Sequence, residues 1–174
     1  MSDMRDRITG DENAFQKLAE AIPGFDGYRE REIRRTADRL VRDHLVKLLD
    51  AIRGKLEDLM RESGTSDIEL TSKIGRTQRR MTALRDRIDH ASYGYTGFFD
   101  AIKIGEEELD RMYDYDVSLM GHIAEMNTRV AELADADSAG FDDLLAELEA
   151  EMDYLEQMLD DRDEVVSSVV PGDE

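Results

Sequence analysis

Apolar residues recur at steps of three and four along four stretches of this chain, and this spacing leaves little choice of fold. In an α-helix such residues share one face, so each stretch predicts an amphipathic helix with one buried stripe. The first helix runs from Tyr28 to about Ser63, with a stripe of Ile33, Ala37, Leu40, Val41, Leu45, Leu48, Ile52, Leu56 and Leu59. The second stripe is Leu70, Ile74, Thr77, Met81, Leu84, Ile88 and Ala91. The third is Leu109, Met112, Leu119, Met120, Ile123, Val130 and Leu133, and the fourth is Phe141, Leu145, Leu148, Met152, Leu155, Leu159 and Val166, with Arg162 on the same seam.

Turn and capping signals separate these helices. Ser66 with Glu69 three residues later forms a capping box at the start of the second helix. Three consecutive glutamates after Gly105 suit the first turn of a third helix, where the helix dipole favours negative charge. The segment ADADSAG interrupts the pattern before the fourth helix. A short preliminary helix at residues 11–22, with Phe15, Leu18, Ala19 and Ile22 on one face, is halted at Pro23.

The predicted fold is therefore all-α. We expect an elongated antiparallel four-helix bundle, or a coiled-coil-like pair of helical hairpins, with a short N-terminal helix. Residues 1–23 form the N-terminal segment, and residues 24–134 form the main helical domain with the first hairpin, an aromatic connection and the third helix. Residues 135–166 form an acidic fourth helix packing on the same bundle, and residues 167–174 are a flexible tail.

Charge divides the chain into two unlike halves. The formal net charge is −19, composed of +2 over residues 1–87 and −21 over residues 88–174. Arginines interspersed with acids in the first half favour intramolecular ion pairs with the acidic second half over a nucleic-acid surface. The high Asp and low Lys content resembles that of proteins from salt-loving organisms, so the charge also has an interpretation as solvent adaptation. With no cysteine, no signal peptide and no apolar run of membrane-spanning length, the expected location is the cytoplasm, peripheral to a membrane only through a partner.

No catalytic, metal-binding or cofactor-binding pattern is found in the sequence. The residues three positions before the histidines are Val41, Arg87 and Leu119, which rules out the Glu-x-x-His pairs of di-iron bundles. The calcium-loop spacing that begins at Asp135 lacks the carboxylate at its twelfth position, Ala146, so a helix-linking turn is predicted there instead. A ligand pocket among Asp86, His90 and Tyr93 is the least favoured hypothesis, and we expect no enzyme activity and no cofactor.

The segment HASYGYTGFFD, residues 90–100, concentrates aromatic side chains in an otherwise charged chain. Folding the first hairpin about residue 65 brings this segment beside IPGFDGYREREIRR, so it should close one end of the bundle. A buried aromatic plug is one interpretation, and a protein-docking surface is the other, since aromatic residues beside arginine are favoured at binding hot spots. The candidate docking residues are Tyr28, Arg34, Arg35, Tyr93, Tyr95, Phe98 and Phe99.

Two blocks of sequence carry a family resemblance. IPGFDGYREREIRRTADRLVRDHL at 22–45 and ASYGYTGFFDAIKIGEEELDRMYDYD at 91–116 resemble a group of small prokaryotic helical proteins associated with SPFH (flotillin- or stomatin-like) membrane-scaffold proteins. The resemblance covers roughly residues 22–133, and it implies an accessory or adaptor role near a membrane scaffold without assigning any binding residue.

Two functions follow as hypotheses. The first is a non-enzymatic helical adaptor or scaffold making protein–protein contacts, with an SPFH-type protein as the partner that the resemblance implies. The alternative is a membrane-remodelling protein resembling the phage-shock and ESCRT-III-like helical proteins, in which the helix at 11–22 would contact lipid. Acids outnumber bases on the polar face of that helix, which is poorly suited to an anionic membrane, and direct membrane binding is not expected.

Overall fold

The computed structural model describes residues 14–27, 31–63, 68–91 and 106–169, and these residues form five helices. The side chains of 31–35, 63, 106, 108 and 165–169 are outside the description. Helix α1 covers residues 14–21, α2 is Arg31–Ser63, α3 is Ile68–His90, α4 is Glu106–Leu133 and α5 is Ser138–Val169. The predicted all-α bundle with a short N-terminal helix is confirmed. Within these ranges, no helix has the combined length and apolar character that a membrane crossing requires.

The four long helices pack as two hairpins laid side by side. Helix α2 packs on α3, and α4 packs on α5. The hairpins meet through α2 against α4 and, less extensively, α3 against α5. Consequently α2 and α5 lie on one diagonal of the bundle and α3 and α4 on the other. Helices α3 and α4, which follow each other in the chain, therefore lie at diagonally opposite corners of the bundle.

The predicted stripes form one continuous core. Every residue predicted for α3 between Ile74 and Ile88 is buried, as are all those predicted for α5 from Phe141 to Leu159. The side chain of Val166, also predicted for this stripe, is outside the description. On α2 the stripe is shifted, since Leu40, Leu48 and Leu59 are half-buried whereas Leu49 is fully buried. Helix α2 contacts both α3 and α4, so its buried face is broader than the seam expected for a simple two-helix contact.

The short helix α1 is rotated relative to its predicted face. Leu18 and Ile22 are buried as expected, but Ala19 is exposed and Phe15 retains 37% of its surface. Ala14, Leu18 and Ile22 follow a four-residue spacing that directs them to the core, and Phe15 lies beside that row. The Phe15 ring instead meets the rings of Phe25 and Tyr113 at centroid distances of 6.1 and 6.2 Å.

Gly27 holds the chain against this aromatic group. Its φ is +86°, a conformation in which a side chain is strained, and a Cβ atom there would lie 2.7 Å from the Tyr113 hydroxyl oxygen and 2.9 Å from Phe15 Cε2. Glycine is therefore required at this position both for its backbone and for the space it leaves. The turn fixes α1 beside the start of α4.

The connection between α4 and α5 is a tight turn. The Asp137 side chain accepts a hydrogen bond from the backbone N–H of Gly140 at 2.8 Å, which is the geometry of a helix N-cap. The backbone N–H of Phe141 donates to the Asp137 carbonyl oxygen at 2.8 Å, the first hydrogen bond of the helix. The prediction of a helix-linking turn, in preference to a calcium loop, is confirmed.

A buried charge cluster at the candidate docking end

The end of α3 packs beside residues that lie about three turns inside α2, α4 and α5. Ala91 at the end of α3, Val41 of α2, Leu119 of α4 and Leu159 of α5 line the same small void. Tyr28, Tyr93, Tyr95, Phe98 and Phe99 lie outside the described residues, and Arg34 and Arg35 are in the second turn of α2 with side chains outside the description. The convergence of the four helix ends and the docking surface itself stay predictions.

A cluster of charged side chains is buried in the core at this end. Arg162 of α5 donates from Nη2 to Asp38 Oδ1 at 2.8 Å and from Nε to Asp116 Oδ1 at 3.2 Å. Arg42 donates to the other oxygen of Asp38 from Nε and Nη2, both at 2.8 Å. Arg162, Asp38 and Asp116 are 3%, 1% and 0% exposed, so the two carboxylates share one guanidinium almost out of contact with water.

The cluster connects three helices, including the two on a diagonal. Asp38 belongs to α2, Asp116 to α4 and Arg162 to α5, so the Arg162–Asp38 bond crosses the centre of the bundle. The void beside it has a volume of about 10 Å³, which accommodates at most one water molecule. Because buried ion pairs rarely stabilise a fold more than apolar residues of similar volume, the cluster is better suited to fixing how the helix ends are aligned.

The cluster was only partly visible in the sequence. The sequence pattern predicts Arg162 on the apolar seam, but it does not predict Asp38 or Asp116 there. The α4 stripe jumps by seven residues from Met112 to Leu119, and Asp116 occupies the vacant helical position between them. The sequence signal for such an ion pair is a charged residue at a core position of one helix together with an oppositely charged residue at a core position of a second helix.

A second set of charges joins α3 to α5 along the surface. The predicted intramolecular pairing of first-half arginines with the acidic second half is confirmed there. Hydrogen bonds to Asp142 and Glu69 raise the pKa of Lys73 above its ordinary value. The pairs are Lys73–Asp142 at 2.9 Å, Arg80 with Asp153 and with Glu156 at 3.4 Å, and Arg87 with Asp160 at 2.8 Å and Asp163 at 3.1 Å.

Of the least favoured pocket residues, Asp86 and His90 are described by the structure. His90 Nδ1 lies 2.7 Å from the backbone carbonyl oxygen of Asp86, and Tyr93 is outside the described residues. A broad groove between α2 and α3 is lined by polar side chains, among them Arg53, Gln78 and Arg79, and is open to solvent.

Comparison of the chain with protein-family models, curated proteins and solved structures gave no match.

Proposed function

We propose that this protein is a non-enzymatic helical adaptor or scaffold that binds a partner protein at the end of the bundle formed by the start of α2, the end of α3, the start of α4 and the end of α5. The observation that carries the proposal is the buried cluster of Asp38, Asp116, Arg42 and Arg162 beneath that end. It joins α2, α4 and α5 two to three turns inside that end, and the sequence between α3 and α4 is the most aromatic in the chain.

Preorganisation is the physical link between this cluster and binding. A protein surface that is already rigid loses less conformational entropy when a partner binds, so more of the contact energy appears as affinity. Helices α3 and α4 sit on opposite corners, and the chain that joins them carries four aromatic residues between positions 93 and 99. The predicted docking residues combine aromatic residues with arginine, which is the composition of an interaction hot spot.

The resemblance of both flanking blocks to proteins associated with SPFH scaffolds supplies the partner class. We therefore propose an SPFH-type membrane-scaffold protein as the ligand of this end, with the chain itself not inserted in lipid. The apolar face of α1, which a membrane-remodelling role would offer to lipid, is packed in the core at Leu18 and Ile22, 0% and 2% exposed. Lipid contact through α1 would require this helix to leave the bundle, which favours the adaptor over the membrane-remodelling alternative.

Binding between the purified protein and the SPFH-type protein of the same genome, measured by biolayer interferometry, tests the proposal. We expect the double substitution Tyr95→Ala and Phe98→Ala to abolish or strongly weaken binding while the circular dichroism spectrum stays unchanged. The matched control is Ile68→Ala, which also removes an apolar side chain, 81% exposed, but at the opposite end of the bundle. Equal affinity of the control and the double variant would contradict the proposed docking end, and flotation of the protein with liposomes alone would favour the membrane alternative.

A further inference from the structure

A cluster of potential metal ligands lies halfway along the second hairpin, far from the proposed docking end. His122 and Glu125 are three residues apart on α4, so they share one face, and Glu151 faces them from α5. One ligand atom from each residue lies within 4.8 Å of the others. His122 Nδ1 and Glu151 Oε2 are already 2.9 Å apart, about 0.5 Å closer than two ligands of a tetrahedral ion with bonds of about 2.1 Å.

From this arrangement we propose that His122, Glu125 and Glu151 bind a divalent transition-metal ion, with Zn²⁺ as the best match. One imidazole nitrogen and two carboxylate oxygens suit zinc, whereas calcium and magnesium prefer ligand sets made of oxygen alone. In this site the metal replaces the hydrogen bond between His122 and Glu151. Glu125, the outermost of the three, closes on the ion by a change of side-chain rotamer, for which its 58% exposed side chain has room.

The charges around the site favour a dication. Glu125, Glu147 and Glu151 contribute three negative charges and Arg129 one positive charge, which leaves a net −2 when His122 is neutral. Arg129 forms its shortest contact, Nε to Oε2 at 3.1 Å, with Glu147, which is not among the ligands. Its contacts to the ligand residues Glu151 and Glu125 are longer, at 3.5 and 3.6 Å, so it competes with the metal only weakly.

The position of the imidazole ring is supported by a neighbouring aromatic side chain. The ring of Tyr154, one turn of α5 beyond Glu151, packs on the ring of His122 at a centroid distance of 4.5 Å and an interplanar angle of 54°. Such packing limits the rotation of the histidine and lowers the entropy that it loses on binding metal. A metal at this site would link α4 to α5 by coordinate bonds, in addition to their apolar contacts.

Titration of the full chain with ZnCl₂ by isothermal calorimetry tests the site. We expect one saturable site, and a loss of affinity of at least about tenfold in His122→Ala and in Glu151→Gln, since even the outer partners of metal ligands usually contribute that much. Glu147→Gln is the matched control, because it removes the same charge from the same patch without removing a proposed ligand. We expect it to change the affinity less than Glu125→Gln does, and Arg129→Gln to raise the affinity.

A measurement on the unsubstituted protein keeps the test independent of folding defects. The chain has three histidines, and Zn²⁺ should shift the imidazole NMR signals of His122 while those of His44 and His90 stay in place. Absence of a saturable site would overturn the proposal. So would an equal loss of affinity in Glu147→Gln and Glu151→Gln, because that result would indicate diffuse attraction of zinc to an acidic surface.

Discussion

Removal of the Arg162 guanidinium is the most informative perturbation of this fold. Arg162→Met keeps an unbranched apolar chain of similar length but takes away the hydrogen bonds to Asp38 and Asp116. Asp38 retains Arg42, whereas Asp116, 0% exposed, loses its buried cationic neighbour. Breaking a buried ion pair from one side typically costs about 3–5 kcal/mol, a large part of the roughly 5–15 kcal/mol that stabilises a typical domain.

A double-mutant cycle separates the pair from its surroundings. Asp116→Leu leaves Arg162 bonded to Asp38, so we expect a smaller loss of about 1–3 kcal/mol. The double variant Arg162→Met with Asp116→Leu leaves no charge of this pair in the core. Its free energy of unfolding should therefore exceed the value expected from adding the two single effects by at least about 1 kcal/mol.

The free energy of unfolding of all three variants is measured by urea unfolding, followed by circular dichroism at 222 nm, where α-helices give a strong signal. The control is Arg111→Met, whose side chain is 58% exposed and contacts Glu107 at 3.3 Å, and its cost should be below about 1 kcal/mol. A cost for Arg162→Met no larger than that of the control would refute the argument that the cluster is desolvated. Strict additivity in the cycle would refute the argument that Arg162 and Asp116 act as a pair.

Three further predictions concern the backbone, the solvent and pH. Gly27→Ala should lower the thermal stability of the fold more than Gly24→Ala does. Both positions have positive φ, at +86° and +82°, but only at Gly27 would a Cβ atom meet other atoms. Equal effects of the two substitutions would contradict this steric argument. Raising NaCl from 0.1 M should raise the melting temperature, because residues 135–164 contain thirteen acids against one base and the Debye length falls from about 10 Å at 0.1 M to about 3 Å at 1 M. A falling melting temperature would mean that the ion pairs between α3 and α5 outweigh this repulsion. Burial and, secondarily, the charge of Lys47 lower the pKa of His44, so the unfolded chain takes up a proton before the folded chain does as pH falls. The stability that neutral His44 contributes is therefore present above the ordinary histidine pKa and is lost as pH falls through the lowered value. We expect His44→Gln to flatten the dependence of the urea unfolding midpoint on pH between about 7.5 and 5.

The fold was predictable because each helix of the bundle repeats one simple pattern. The stripe from Ile74 to Ile88 needed only the helical period, and the turn at Asp137 needed only its capping chemistry. The width of the buried face of α2 was not predictable in the same way. It depends on how many helices α2 contacts, and the burial of Leu49 became clear only with α3 and α4 both in place.

The candidate sites show where reading one helix at a time fails. Asp116 and Arg162 are 46 positions apart, and nothing local to either residue identifies the other as its partner. His122 and Glu125 are on one helical face, but the ligand Glu151 reaches them only because α4 and α5 are antiparallel at this particular register. The contact between the rings of Phe15 and Tyr113 is equally invisible to local sequence, because Tyr113 belongs to a helix nearly a hundred residues away.

The ion pairs between α3 and α5 have a periodicity that gives the buried cluster a further significance. Lys73, Arg80 and Arg87 are seven residues apart, and so are Asp142, Glu149, Glu156 and Asp163. If α5 slid along α3 by one heptad, about 10.5 Å, so that Glu149, Glu156 and Asp163 took the places of Asp142, Glu149 and Glu156, each cation would again face an acid. This ladder therefore has two nearly equivalent alignments. Arg162, Asp38 and Asp116 occur once, and only one alignment lets them meet in the core. The surface ion pairs thus hold α3 against α5, and the buried charges select one of these alignments.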